Sequence, residues 1–171
     1  MDAWFVSSLG TAALAGMVLV LPLLYLMQHM SQGAVGGGIS SAIARALGGK
    51  RQEDADGLVL TALALNTAIG IICCAAMLIV GPRLYAVMGG TGPTLQAALA
   101  YSNVLFAGVV FMWTMNALAS ATRGSGNLMV PGAVICGGAV VHLFLSPCLI
   151  FGLGPFPELG IQGAAYALLL Y

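Results

Sequence analysis

The sequence predicts an all-α fold: a polytopic membrane helix bundle of about four complete spans plus the start of a fifth. Three observations predict it. Apolar residues make up 60% of the 171 positions and charged residues only 6%, and the mean hydropathy is +1.03. Four stretches carry neither acid nor base: Ala3–Ala44, Gly57–Pro82, Leu84–Thr122 and Gly124–Pro157. Each exceeds the ~18 residues that mark a membrane span. Six of the ten charged residues then fall together between Arg45 and Asp56, outside those stretches. A β-barrel would instead alternate apolar and polar residues in segments of about ten.

The chain reads as one membrane domain, 1–171, with spans at roughly 8–45, 55–80, 94–122, 129–152 and 160–171, the last truncated. The first span is longer than the ~20 residues needed to cross hydrocarbon. It must tilt, bend or project, and Pro22 and Gly36-Gly37-Gly38 are the expected bends. Gln28, His29, Ser31 and Gln32 form a polar belt within it. Such a belt serves either hydrogen bonding between helices or a cavity wall. Pairs such as Ala12/Gly16 and Gly33/Gly37 are small residues spaced by four, which permits close helix approach.

Gly48-Gly49 should stop that helix. Asp54 and its acidic neighbours should start the next, where negative charge meets the positive helix end. The bases Arg45, Lys50 and Arg51 place this loop in the cytoplasm by the positive-inside rule, and with it Arg123. Met1, Gly90 and Glu158 are then external.

The second span carries one amide, Asn66, and is expected to end at Gly81-Pro82-Arg83. A turn at Gly89-Gly90-Thr91-Gly92-Pro93 follows. The third span holds Asn103, Asn116, Met112 and Met115. Methionine here serves packing or an adaptable binding wall. After the turn Arg123–Asn127, Pro131 sits near the start of the fourth span, where its missing N–H does no harm. His142 and Ser146 lie four apart on one face of it. Polar groups facing inward at membrane depth mark a candidate site.

Cys73, Cys74, Cys136 and Cys148 all lie in apolar runs without C-x-x-C spacing, and read as small apolar filling. The acidic start, Met1-Asp2-Ala3-Trp4, does not read as a signal peptide. Zero net charge leaves no nucleic-acid footprint. No nucleophile–base pair or metal-ligand cluster is legible, so neither an enzyme nor a metal site is expected.

Four motifs in order carry a resemblance: D-x-x-F-V-x-x-LGTAALAG from Asp2, ARALGGKRQEDA from Ala44, RGSGN-x-x-x-P from Arg123, and LIFGLG-x-x-PELGIQGAA from Leu149. Together they resemble the multidrug and toxic compound extrusion (MATE) family along nearly the whole chain. The resemblance implies part of the first of two six-helix lobes, namely spans two to five and the beginning of span six. The missing partners would be a first helix and a second lobe of the same transporter, so the chain reads as a fragment or a late-started reading frame. It implies a multi-pass protein of the inner or plasma membrane, surrounded by lipid, that exports cationic amphipathic small molecules in exchange for Na⁺ or H⁺. No cofactor is expected beyond that coupling ion.

By the same resemblance, Asp2 takes the place of an acidic residue tied to ion coupling. Cavity candidates are Gln28, Asn66, Asn103, Met112, Asn116, His142 and Ser146. One branch of the family reads N-x-x-L-D-P in the fourth helix of this chain. Here His142 replaces that Asn and Ser146 that Asp, so the carboxylate which that branch protonates is absent. His142 reads as a hydrogen-bonded structural histidine or as a proton-responsive group. The competing functions are a lipid-linked oligosaccharide flippase of the related superfamily and a non-transporting fragment or assembly module. A flippase should line its cavity with bases, and the spans carry none.

Overall fold

The computed structural model describes residues 2–152, 157 and 159–170, and only the backbone of Asp2. Glu158, expected at an external turn, lies outside the described residues. Among those described, all regular structure is helical: α1 (Asp2–Ser7), α2 (Thr11–His29), a π-helical segment (Met30–Val35), α3 (Gly36–Gly48), α4 (Gln52–Val87), α5 (Gly92–Ala107), α6 (Val109–Gly124), α7 (Met129–Phe151) and α8 (Ile161–Leu170).

Among the described residues, three helical stretches are long and apolar enough to cross a membrane: Thr11–Gly48, Gln52–Val87 and Met129–Phe151. The pair α5–α6 makes a fourth span if taken as one, bent by 45°. This is the expected bundle, with four differences in detail.

The first span starts at Thr11 rather than near residue 8, because Gly10 adopts φ 113°. Only glycine takes that conformation readily, and it separates α1 from α2. The same span carries a π-helical segment at Met30–Val35, while the α-helix continues through Pro22 and resumes over Gly36-Gly37-Gly38. A π-turn inserts an extra residue into the helical ladder. The second span does not end at Pro82. It continues to Val87, so α4 is about 54 Å long at ~1.5 Å per residue. The third span is not continuous, since Gly108 breaks it. A Cβ at Gly108 would run into Leu169 of α8.

Several stops and starts fall where the sequence placed them. α3 ends at Gly48 with Gly49 as its cap. Glu53 and Asp54 occupy the first turn of α4 and Pro131 the first turn of α7, whereas Gly92-Pro93, expected in the turn, already open α5.

The two broken spans follow one another. α2 packs on α5, and α3 on α6, so the long first span is matched half by half. α4 lies against α3, α5 and α6. Trp113, Tyr101, Leu105, Phe106, Val20 and Leu24 fill the resulting core. α7 packs mainly on α8, and Val134, Ile135, Val140, Val141 and Phe144 stay exposed along it. Their outward apolar face suits lipid or another helix.

Candidate functional site

The π-helical segment brings polar groups together where the helical ladder is irregular. Gln28 is the next-to-last residue of α2, and Ser31 lies one residue into the π-helical segment. Opposite them, α6 presents Met112, Trp113 and Asn116. With Leu24, Met27 and Val109 these residues line one small cleft. Asn116 Nδ2 donates to Ser31 Oγ at 3.1 Å. Ser31 and Trp113 are each 1% exposed, whereas Gln28, Met112 and Asn116 are half-buried.

The cleft holds about 10 Å³ of free volume, which is room for one water at most. No acid or base lines it. Its chemistry is amide and hydroxyl oxygens, two flexible thioethers and one indole ring. Such a wall can solvate a cation by oxygen, and the face of Trp attracts cations electrostatically.

The candidates read from sequence divide into two groups. Gln28, Met112 and Asn116 meet at this cleft. Asn66 does not. It is fully buried on the stripe of α4 that faces α6, one turn before Gly70, and its Nδ2 donates to Ala62 O of its own helix at 2.9 Å. Its Oδ1 has no protein partner. Asn103 is exposed on α5. His142 and Ser146 sit on α7, away from the cleft. His142 Nδ1 lies 3.1 Å from Ala167 O. A carbonyl only accepts, so Nδ1–H donates and ties α7 to α8. Ser146 is buried one turn further on, 1% exposed. The side chain of Asp2 lies outside the described residues.

Sequence reasoning passed over Ser31 except as a member of the polar belt, and it missed Trp113. A Trp in an apolar run gives no signal of facing a cleft. The i+4 spacing of Met112 and Asn116, with Trp113 between them, was the only available clue.

One hydrogen bond between helices and one close packing contact hold α6. Thr114 Oγ1 donates to Val110 O at 2.9 Å and so accepts from Thr67 of α4 at 3.2 Å. Toward the charged end, within α6, the Arg123 guanidinium donates to Ser120 Oγ at 2.7 Å. Gly36 lies close against that same hydroxyl, where an added Cβ would fall 2.6 Å away.

The MatE family model matches residues 1–148. A protein of Shewanella oneidensis described as an FAD transporter is 30% identical over 169 residues, 98% of this chain and 37% of its own length. A probable multidrug resistance protein of Bacillus subtilis, YoeA, is 30% identical over 159 residues, 93% of this chain and 34% of its own. A crystal structure of MATE in the bent conformation superposes with a TM-score of 0.91 at 32% identity, covering 99% of this chain and 37% of that one. The chain thus spans about a third of the length of the curated relatives it matches. With a family model covering most of its residues and a fold shared along nearly its whole length, this multi-pass membrane protein belongs to the MatE family.

Proposed function

We propose that the chain forms part of one lobe of a cation-coupled antiporter that exports amphipathic organic cations in exchange for Na⁺ or H⁺. One observation carries this reading: Gln28, Ser31 and Asn116 meet Met27, Met112 and Trp113 at a π-helical break in a membrane span. π-turns recur at functional sites, and a wall with few fixed hydrogen bonds and flexible methionines tolerates varied ligands. The cleft is far too small for a drug by itself. The substrate space is therefore completed by helices outside this chain, and the neutral cleft wall is one side of it.

Coupling falls to Asp2, where the motif at the start of the chain places an acid. A carboxylate at low dielectric needs a cation or a proton. Na⁺, H⁺ and a cationic substrate then compete for it, and exchange follows from two states open to opposite sides.

The Shewanella relative's description raises a dinucleotide as substrate. The thioethers, amide oxygens and indole of the cleft wall are what favours cations here.

The test uses a longer protein carrying this segment together with the remaining helices. Vesicles loaded by an imposed Na⁺ or H⁺ gradient should accumulate a cationic dye. Asp2→Asn should abolish gradient-driven uptake at unchanged expression, and Gln28→Ala or Asn116→Ala should raise the apparent KM for the dye. Full uptake by Asp2→Asn would remove coupling from this residue. Uptake of FAD in place of the dye would overturn the substrate class.

A further inference from the structure

The charged end of the bundle holds a second concavity, unrelated to the cleft. Where α3 ends and α4 begins, the two helices flank an open groove of about 510 Å³. That is within the range of small-molecule sites, ~300–1,000 Å³. Its lining combines Arg45, Arg51 and Asp54 with the uncharged Ala42, Ala46, Leu58 and Thr61. Arg51 pairs with Asp54 at 3.2 Å, with both side chains more than half exposed. An ion pair so exposed is weak and can yield to a stronger anion. Arg45 is also exposed. The two other acids of this loop, Glu53 and Asp56, do not line the groove. Its formal charge is therefore two bases less one acid, or +1.

Position decides what such a groove meets. It sits where uncharged spans give way to the only dense charge cluster in the chain, so it lies at the boundary between hydrocarbon and water. Small and apolar side chains toward the spans, with two guanidiniums toward the charged turn, match a phospholipid in its natural orientation. Acyl chains begin beside Ala42 and Leu58, and the phosphate rests on the arginines.

We infer that the α3–α4 groove binds the headgroup of an anionic phospholipid, with Arg45 and Arg51 on its phosphate and Thr61 near its glycerol. A guanidinium meets a phosphate in a paired, directional way that a zwitterionic headgroup's own ammonium would oppose. A headgroup of net charge −1 neutralises the groove.

The test is lipid retention by the purified chain in nanodiscs of mixed phosphatidylglycerol and phosphatidylcholine, read by native mass spectrometry. The unaltered chain should retain phosphatidylglycerol in preference. Arg45→Gln and Arg51→Gln should each lower that preference about five-fold, as expected for one basic residue at a membrane surface. Asp54→Asn should raise it. Arg83→Gln, near the opposite end of α4, should leave it unchanged. Gly57→Leu keeps every charge and grows a side chain into space that is open around Gly57. It should block the groove, and it decides the matter if the arginine variants fail to fold. A preference that survives both Arg45→Gln and Gly57→Leu, or that falls equally with Arg83→Gln, overturns the site. Displacement of the lipid by inorganic phosphate would make it a free-anion site instead and overturn the lipid.

Discussion

Asn116 on α6 reaches Ser31 in the π-helical segment at 3.1 Å, a hydrogen bond between residues 85 positions apart. It joins the irregular part of one span to a regular turn of another. The tie has a measurable strength. Side-chain hydrogen bonds between membrane helices average about 0.6 kcal/mol and reach about 1.7. Ser31→Ala and Asn116→Ala, made singly and together, should therefore show a coupling in that range in a double-mutant cycle of unfolding in mixed micelles. Strict additivity of the two changes would mean that the bond contributes nothing to stability.

The fit of α2 on α5 predicts a sharp contrast between two glycines. A Cβ at Gly16 would lie 2.7 Å from Ala98 N and 2.8 Å from Ala97 Cβ. Backbone cannot step aside as a flexible side chain can. Gly16→Ala should destabilise by about 1–3 kcal/mol, as overpacking does. Gly37, with nothing within 4 Å of such a Cβ, should accept alanine and gain up to about 1 kcal/mol from the lost backbone freedom. Equal melting temperatures for the two variants would contradict the packing described.

Topology can be read by thiol labelling in a cysteine-free background. The basic turn after α3 and the turn after α6 share one end, since Gly124 packs on Ser40 and Ile43. The α4–α5 turn lies at the other. Gly90 would be a poor reporter there, because it is buried between Tyr85 O and Leu19. Thr91 is exposed and should serve. Thr91→Cys should react with an impermeant reagent from outside the cell and Lys50→Cys should not. The reverse pattern would invert the chain in the membrane.

His142 should matter through its bond to Ala167 O. His142→Phe keeps a ring but loses the donor, and should lower stability by about 0.6–1.7 kcal/mol while loosening α8 on α7. His142→Asn keeps a donor and should recover part of the loss. Equal stability of His142→Phe and the parent would mean that the bond to Ala167 O contributes nothing.

Much of the architecture was legible in the sequence because membrane helices announce themselves by length and by charge exclusion. Gly48-Gly49, Asp54 and Pro131 marked helix ends by local chemistry alone. The breaks were not legible. In a span surrounded by apolar groups on every side, there is little contrast between faces, so periodicity carries little information about rotation or register. Gly108 and the π-turn after His29 lie against neighbours distant in sequence: Leu169 occupies the space beside Gly108, and Asn116 holds Ser31. The site suffered the same loss. Every mid-span polar residue looked equally eligible, and only packing separates Gln28, Met112 and Asn116 at the cleft from Asn66, Asn103, His142 and Ser146 elsewhere.

The length of α4 has a consequence for depth. Between Asp56 and Arg83 the helix carries no charge, a rise of about 40 Å at ~1.5 Å per residue. That equals the thickness of a bilayer counted with its headgroups, ~40–45 Å, and exceeds the ~30 Å of hydrocarbon. One carboxylate and one guanidinium thus act as stops at the two water boundaries. The helix can tilt, but it cannot slide along its axis without dragging a charge inward. In thinner bilayers it should lean further and in thicker ones stand upright, so α4 sets the level at which the rest of the bundle floats.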